Sequence, residues 1–221
     1  MATSQNGWSV VDSAPAFVVH GVTFPNGVRG GDVAIVLRWT VEQWHARVEK
    51  LVAGSCWGYD KKKISGSDEW SNHASATAVD CNASRHPQGV PASRNMSAHQ
   101  IDQCHAIEAE SGGVVRWGGD FSRPDPMHWE INANAAAVAA FARRIEDEMT
   151  KEELKDALED FFARGTQDGK PGGPVTSKIG RDALDQGVPN VFAGGKSSAW
   201  ALLGDIAEHV KALEAKVDKL S

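Results

Sequence analysis

The chain has 221 residues, 41% hydrophobic and 24% charged. That is the composition of a globular protein with room for one well-cored domain and a smaller region. Its 23 basic and 29 acidic side chains leave a formal charge of -6, which offers no generic attraction to nucleic acid or anionic lipid, and no apolar run reaches the ~18 residues of a membrane span.

The first residues, MATSQNGWSVV, hold neither a basic nor an apolar leader region, so no secretory signal peptide is expected. Residues 18–24 (VVHGVTF) read as a strand. Asp32 is placed as the cap of a helix in which Val33, Val36, Leu37, Trp44, Val48 and Leu51 keep helical spacing until Gly54. Ser97 and Gln100 make a capping box for a helix that stops before Gly112-Gly113. Val114 to Trp117 reads as a short strand, and Asn132 or Asn134 opens an Ala-rich helix through Ala135–Met149. Helices with segregated short strands predict an α+β fold with a small, mainly antiparallel sheet.

Composition then shifts. Residues 1–145 carry 13 basic and 14 acidic side chains against 10 and 15 in residues 146–221, and only Trp200 of the eight Trp lies in the second part. An aromatic-rich domain over 1–149 is therefore expected, followed by an all-α region. Thr150 and Glu153 cap a helix over 150–165. Residues 166–196 read as a Gly/Pro-rich linker with a short helical segment. Over 197–221, Leu203, Ile206, Val210, Leu213, Val217 and Leu220 are spaced 3, 4, 3, 4 and 3 residues apart, a coiled-coil-like seam. It suits a homo-oligomer, with a helix packing back on its own domain as the other reading.

Chemistry concentrates in two stretches, Ser71-Asn72-His73-Ala74-Ser75-Ala76-Thr77-Ala78-Val79-Asp80 and Gly118-Gly119-Asp120-Phe121-Ser122-Arg123-Pro124-Asp125-Pro126-Met127-His128-Trp129-Glu130. Two imidazoles and a carboxylate make a known catalytic zinc set with a fourth position left for water. Taken singly, His73 reads as an ordinary surface or core histidine more readily than as a ligand, Asp80 as a strand-end turn or cap residue, and His128 as a partly buried core histidine. Cys56, Cys81 and Cys104 form no C-x-x-C unit and no disulfide framework, and Cys81 reads as a small buried residue. His20, His45, His86, His99, His105 and His209 have no partner at ligand spacing.

Together the two stretches, S-x-H-x-x-(small)-x-A-x-D and D-x-x-H-(aromatic)-E, resemble the zinc D-Ala-D-Ala carboxypeptidase/L-alanyl-D-glutamate endopeptidase family (peptidase family M15). Within it they are most similar to endolysins of actinobacterial phages. The context NGVRGGDVAIVLRW, SCWGYDKKKISGSDEWSNHASATAVDCNA and VVRWGGDFSRPDPMHWEIN extends the likeness over most of residues 20–135. The resemblance implies an M15/hedgehog-like zinc peptidase fold, one Zn²⁺ held by His73, Asp80 and His128, Asp125 as catalytic carboxylate, and Ser71 beside the substrate. The family's usual Gly is Ala76 here, a change that a slightly wider turn could absorb. Its upstream substrate-orienting Arg is replaced by Asp60-Lys61-Lys62-Lys63, so that Lys62 or Lys63 serves, or else the run is a solvated loop. Asp120 and Glu130 are candidates to orient the imidazoles, with surface carboxylates the alternative. Trp70, Trp117 and Trp129 either wall the cleft or pack the core.

The implied activity is zinc-dependent hydrolysis of a peptide bond in bacterial peptidoglycan stem peptides or cross-links. Alternatives are a D-Ala-D-Ala carboxypeptidase and a non-catalytic virion or wall-binding protein. The implied partner is peptidoglycan, with no nucleic acid and no membrane. A phage lysin of this kind would gather in the host cytoplasm and then reach the wall, or travel in the virion as a tail lysin.

Overall fold

The stretch expected as one strand is a hairpin in the computed structural model, which describes residues 2–148. Strand β1 (Phe17–Val19) pairs antiparallel with β2 (Val22–Phe24). The residues between them, His20 and Gly21, have φ of 48° and 74°. Two consecutive left-handed residues match the right-handed twist of the flanking strands and reverse the chain in the smallest space. The expectations for 150–165, 166–196 and 197–221 fall outside the described residues, which lie within one unit, Met1–Glu152.

Helix α1 spans Asp32–Gln43. Asp32 sits in its first turn rather than at the cap; Gly31 precedes it with φ 68° and makes no side-chain cap bond. The helix continues as a π-helical turn, Trp44–Val48, closed by Glu49 N–H to the Trp44 carbonyl at 3.0 Å. It ends there, before Gly54. The Asn82 side chain accepts from Val52 N–H (2.8 Å) and donates to the Lys50 carbonyl (2.9 Å) and Glu49 Oε2 (2.7 Å). A distant residue thus satisfies backbone groups that another helical turn would have used.

Helix α2 (Ala98–Glu110) has the expected box: Gln100 N–H donates to Ser97 Oγ at 3.2 Å and Ser97 N–H to Gln100 Oε1 at 2.9 Å. The Ala-rich stretch is helical over 135–148 (α3), with Asn134 Oδ1 accepting from Ala137 N–H at 3.0 Å.

Strands β3 (Ala78–Asp80), β4 (Val115–Trp117) and β5 (His128–Ile131) form an antiparallel sheet in the order β3-β5-β4. Register opposes Asp80 to His128, Val79 to Trp129, and Glu130 to both Ala78 and Arg116. Because side chains alternate across a strand, one face carries Asp80, His128, Glu130 and Arg116. The other carries Val79, Trp129, Ile131, Val115 and Trp117, buried against the helices. Trp129 meets Trp44 of the π turn edge-on and stacks with Trp117, ring centroids 6.4 Å apart in both pairs. The α+β expectation holds for the described residues. Among them no helix is long and apolar enough to cross a membrane.

Candidate metal centre

β3 and β5 place Asp80 and His128 side by side, and a tight loop brings in His73. His73 Nε2 lies 3.3 Å from Asp80 Oδ1, His128 Nδ1 lies 3.1 Å from the same oxygen, and the two nitrogens are 3.2 Å apart. The three residues are buried and could hold a metal ion. Donors ~2.0–2.1 Å from a tetrahedral zinc lie about 3.3 Å from one another, so the triangle already has the edge length that such an ion requires.

Each imidazole is aimed by a bond on its far side. His73 Nδ1 meets the Gly58 carbonyl at 2.7 Å, and His128 Nε2 meets Glu130 Oε2 at 3.0 Å. In the tautomers that donate those N–H groups outward, each inner nitrogen is free to bind a metal, as a ligand must be. Gly58 is delivered by its neighbour Trp57, whose backbone pairs with Asp80 in both directions (3.0 and 2.9 Å) as an added rung beside β3.

Glu130 was the less visible half of this arrangement. Read from the sequence as either a partner of the imidazoles or a surface carboxylate, it is 2% exposed, because its strand is the central one. Asn72 Nδ2 donates to Oε2 at 2.6 Å, and Arg116 donates to Oε1 through Nε at 2.9 Å and also through Nη2. Burial alone would raise its pKa, but His128, Asn72 and Arg116 hold it down to about 2. Burial likewise disfavours ionised Asp80, yet the two histidines keep its carboxyl far below the usual range. His128 is pushed up to about 10, its bonds to Asp80 and Glu130 outweighing desolvation.

The His73 loop rests on small and hydroxylated side chains. Ser75 Oγ donates to the Asn72 carbonyl at 3.0 Å, and Ser4 Oγ donates to Ser75 Oγ at 2.7 Å. Asn6 Nδ2 donates to Thr77 Oγ1 and to the Ile131 carbonyl, both at 2.8 Å. The N-terminal segment therefore straps loop to sheet, a role with no local signal in the sequence. Ala76 has φ 57° and is buried. Its methyl is carried in the left-handed region, where glycine costs least.

Asp125 reaches the same cleft through the turn Asp125-Pro126-Met127-His128, closed by His128 N–H to the Asp125 carbonyl at 3.0 Å. The turn packs so closely on Gly118 that a Cβ there would lie 2.5 Å from the Asp125 carbonyl oxygen and 3.0 Å from His128 Cβ; only glycine fits. Gln88 Nε2 donates to Asp125 Oδ2 at 2.8 Å, while buried Oδ1 has no partner. Desolvation, with Asp80 nearby, raises the Asp125 pKa against the opposing pull of His128. Gln88 gave no signal in the sequence; it lies outside both motifs.

These groups line one cleft of about 910 Å³. Ser71, Lys62 and Lys63 also line it. Ser71 Oγ accepts from His73 N–H at 3.3 Å. Lys62 Nζ is 3.0 Å from Asp60 and Lys63 Nζ 3.0 Å from Asp68, all four being exposed side chains. Of the three candidate tryptophans only Trp117 borders the cleft, and it packs in the core together with Trp129. Asp120 pairs with His105 at 2.9 Å on the surface rather than with a site imidazole. Cys56, Cys81 and Cys104 are buried free thiols, and Cys81 is outside the metal cluster.

Residues 65–131, which contain both histidines, Asp80 and Asp125, match a family model described as D-alanyl-D-alanine carboxypeptidase. Over this stretch the chain is similar to the D-alanyl-D-alanine carboxypeptidases of peptidase family M15. The matched segment runs from just before the His73 loop to the end of β5, so it takes in every side chain of the triangle. No curated protein and no solved structure matches the chain.

Proposed function

We propose that the chain is a zinc metallopeptidase of the endolysin type that hydrolyses a peptide bond in the stem peptides or cross-links of bacterial peptidoglycan. The observation that carries this reading is the juxtaposition, in one cleft, of the His73–Asp80–His128 triangle and the unpartnered Asp125 oxygen. A Zn²⁺ ion held by those three residues would supply a Lewis acid that polarises the scissile carbonyl and lowers the pKa of a water from ~15.7 to ~7.

The chain's own groups perform the rest. Asp125 Oδ1 takes the proton of the attacking water and returns it to the leaving amine. Gln88 fixes the second carboxylate oxygen so that Oδ1 keeps its direction. The raised pKa of Asp125 brings its basicity nearer to that of the groups between which it moves the proton. Glu130 and the Gly58 carbonyl hold the imidazoles still during turnover. Ser71, at the cleft wall beside His73, contacts the peptide. Lys62 and Lys63 lie along the same wall as secondary contacts.

The description attached to the matched family favours a second reading, removal of a terminal D-Ala. Mass spectrometry of purified peptidoglycan digested with and without a chelator separates the two. Chelator-sensitive release of fragments cut at one stem or cross-link bond is the expected result. Free D-Ala alone would establish the carboxypeptidase. No product from several wall chemistries would overturn both in favour of a wall-binding protein.

A further inference from the structure

Four basic side chains line the cleft among the described residues, and three of them are already committed. Lys62 and Lys63 are held by Asp60 and Asp68. Arg116 spends Nε and Nη2 on Glu130 and lies 4.7 Å above the Phe121 ring. Arg123 is exposed and has no hydrogen-bond or ion-pair partner among the described residues.

Its position is nonetheless fixed by the backbone around it. Pro124 restricts the preceding residue to extended conformations. Gly89 N–H donates to the Pro124 carbonyl at 2.6 Å, and Gln88 holds Asp125. A Cβ on Gly89 would stand 3.9 Å from Arg123 Nε, so the arginine stem runs along the bare face of that glycine. One short run thus presents an uncommitted guanidinium two residues from the unpartnered Asp125 oxygen. Five carboxylates line the same cleft. Away from the metal centre, an anionic group of a substrate is received best by a cation that is not already paired.

Resting on the peptidase reading above, we propose that Arg123 determines specificity: its guanidinium receives a free carboxylate of the substrate peptide beside the scissile bond. A planar guanidinium binds a carboxylate through two parallel bonds, which a lysine cannot do. Two stem-peptide sources share this chemistry, the free carboxylate of a glutamyl residue and the C-terminal carboxylate.

The test uses the full zinc-loaded chain and three versions of one stem peptide: both carboxylates free, the glutamyl one amidated, and the terminal one amidated. KM and kcat are measured for the wild type, Arg123→Gln and Arg123→Lys, together with calorimetric binding of the same peptides. In the wild type, amidating one carboxylate is expected to raise KM about 10- to 100-fold with kcat little changed, which names the source. Arg123→Gln should lose that preference, and Arg123→Lys should recover part of it. An unchanged preference in Arg123→Gln, or an equal loss on all three peptides, overturns the assignment and leaves the peptidase reading standing. If the wild type cleaves none of the peptides but its binding still needs both Arg123 and one carboxylate, the peptidase reading falls and with it the role at a scissile bond, while carboxylate recognition by Arg123 stands. Neither cleavage nor binding overturns both.

Discussion

Replacing Glu130 by glutamine tests whether the triangle is a metal site held from behind. Glu130 offers four acceptor contacts, two to Arg116 and one each to Asn72 and His128. Glutamine has one acceptor oxygen and one donor group. Its best placement keeps the oxygen on Asn72 and His128 and turns the amide toward Arg116. The Arg116 side chain is 38% exposed, so it can swing into water. The cost to stability is then about 1–2 kcal/mol rather than the ~3–5 kcal/mol of stranding a buried charge. His128 keeps a hydrogen bond but loses its anionic partner. Loss of such an outer partner weakens metal binding by ~10- to 100-fold, and the retained bond puts Glu130→Gln near 10-fold. Glu130→Ala removes the bond as well and strands the buried Asn72 amide, so it belongs near 100-fold, with a stability loss of about 3 kcal/mol. Competition with a chromogenic zinc chelator gives the affinities, and urea unfolding of the metal-free proteins gives the stabilities. Zinc affinities within twofold of wild type for both variants would refute the argument, because His128 would then owe its orientation to something else or would not be a ligand.

Asp125→Asn should retain zinc while kcat falls by ~10²- to 10⁴-fold, the usual cost of losing a general base; measured zinc loss would make Asp125 a ligand instead. Glu49 is held below the ordinary carboxyl range, because hydrogen bonds from Asn82, His86 and Arg85 outweigh its burial. Its contribution to stability is therefore complete above its unfolded pKa and is lost as pH falls through the lower folded value. Urea unfolding at pH 6 and pH 3 should show a smaller loss on acidification for Glu49→Gln than for wild type, and equal losses would contradict the pairing. Burial raises the pKa of Cys56, Cys81 and Cys104, so a thiol reagent at pH 8 should label all three only after unfolding; rapid labelling of the native protein would show that one of them is reactive.

Much of the local structure was written in short stretches of sequence. The Ser97–Gln100 box and the Asn134 cap use bonds between residues three apart, and these depend on nothing outside the segment. The residues that converge in the cleft were also legible, since motif spacing and residue type carried a family resemblance that the match over 65–131 supports. Where a distant partner decides, the sequence was silent or misleading. His20 enters the left-handed region because the strands on either side pair. α1 stops early because Asn82 captures the backbone beyond it. Ala76 keeps a glycine-like conformation under a strap from Ser4 and Asn6. Glu130 becomes the buried support of His128 only because β5 lies between β3 and β4 with Arg116 opposite. The sequence alone therefore determined which chemical groups are present and which turns and caps form, since those follow from near-neighbour geometry. Only the tertiary structure decided which carboxylate is dry, which cation stays uncommitted, and that nitrogens 55 residues apart stand 3.2 Å from each other, because burial and charge pairing are properties of contacts between segments rather than of any one segment.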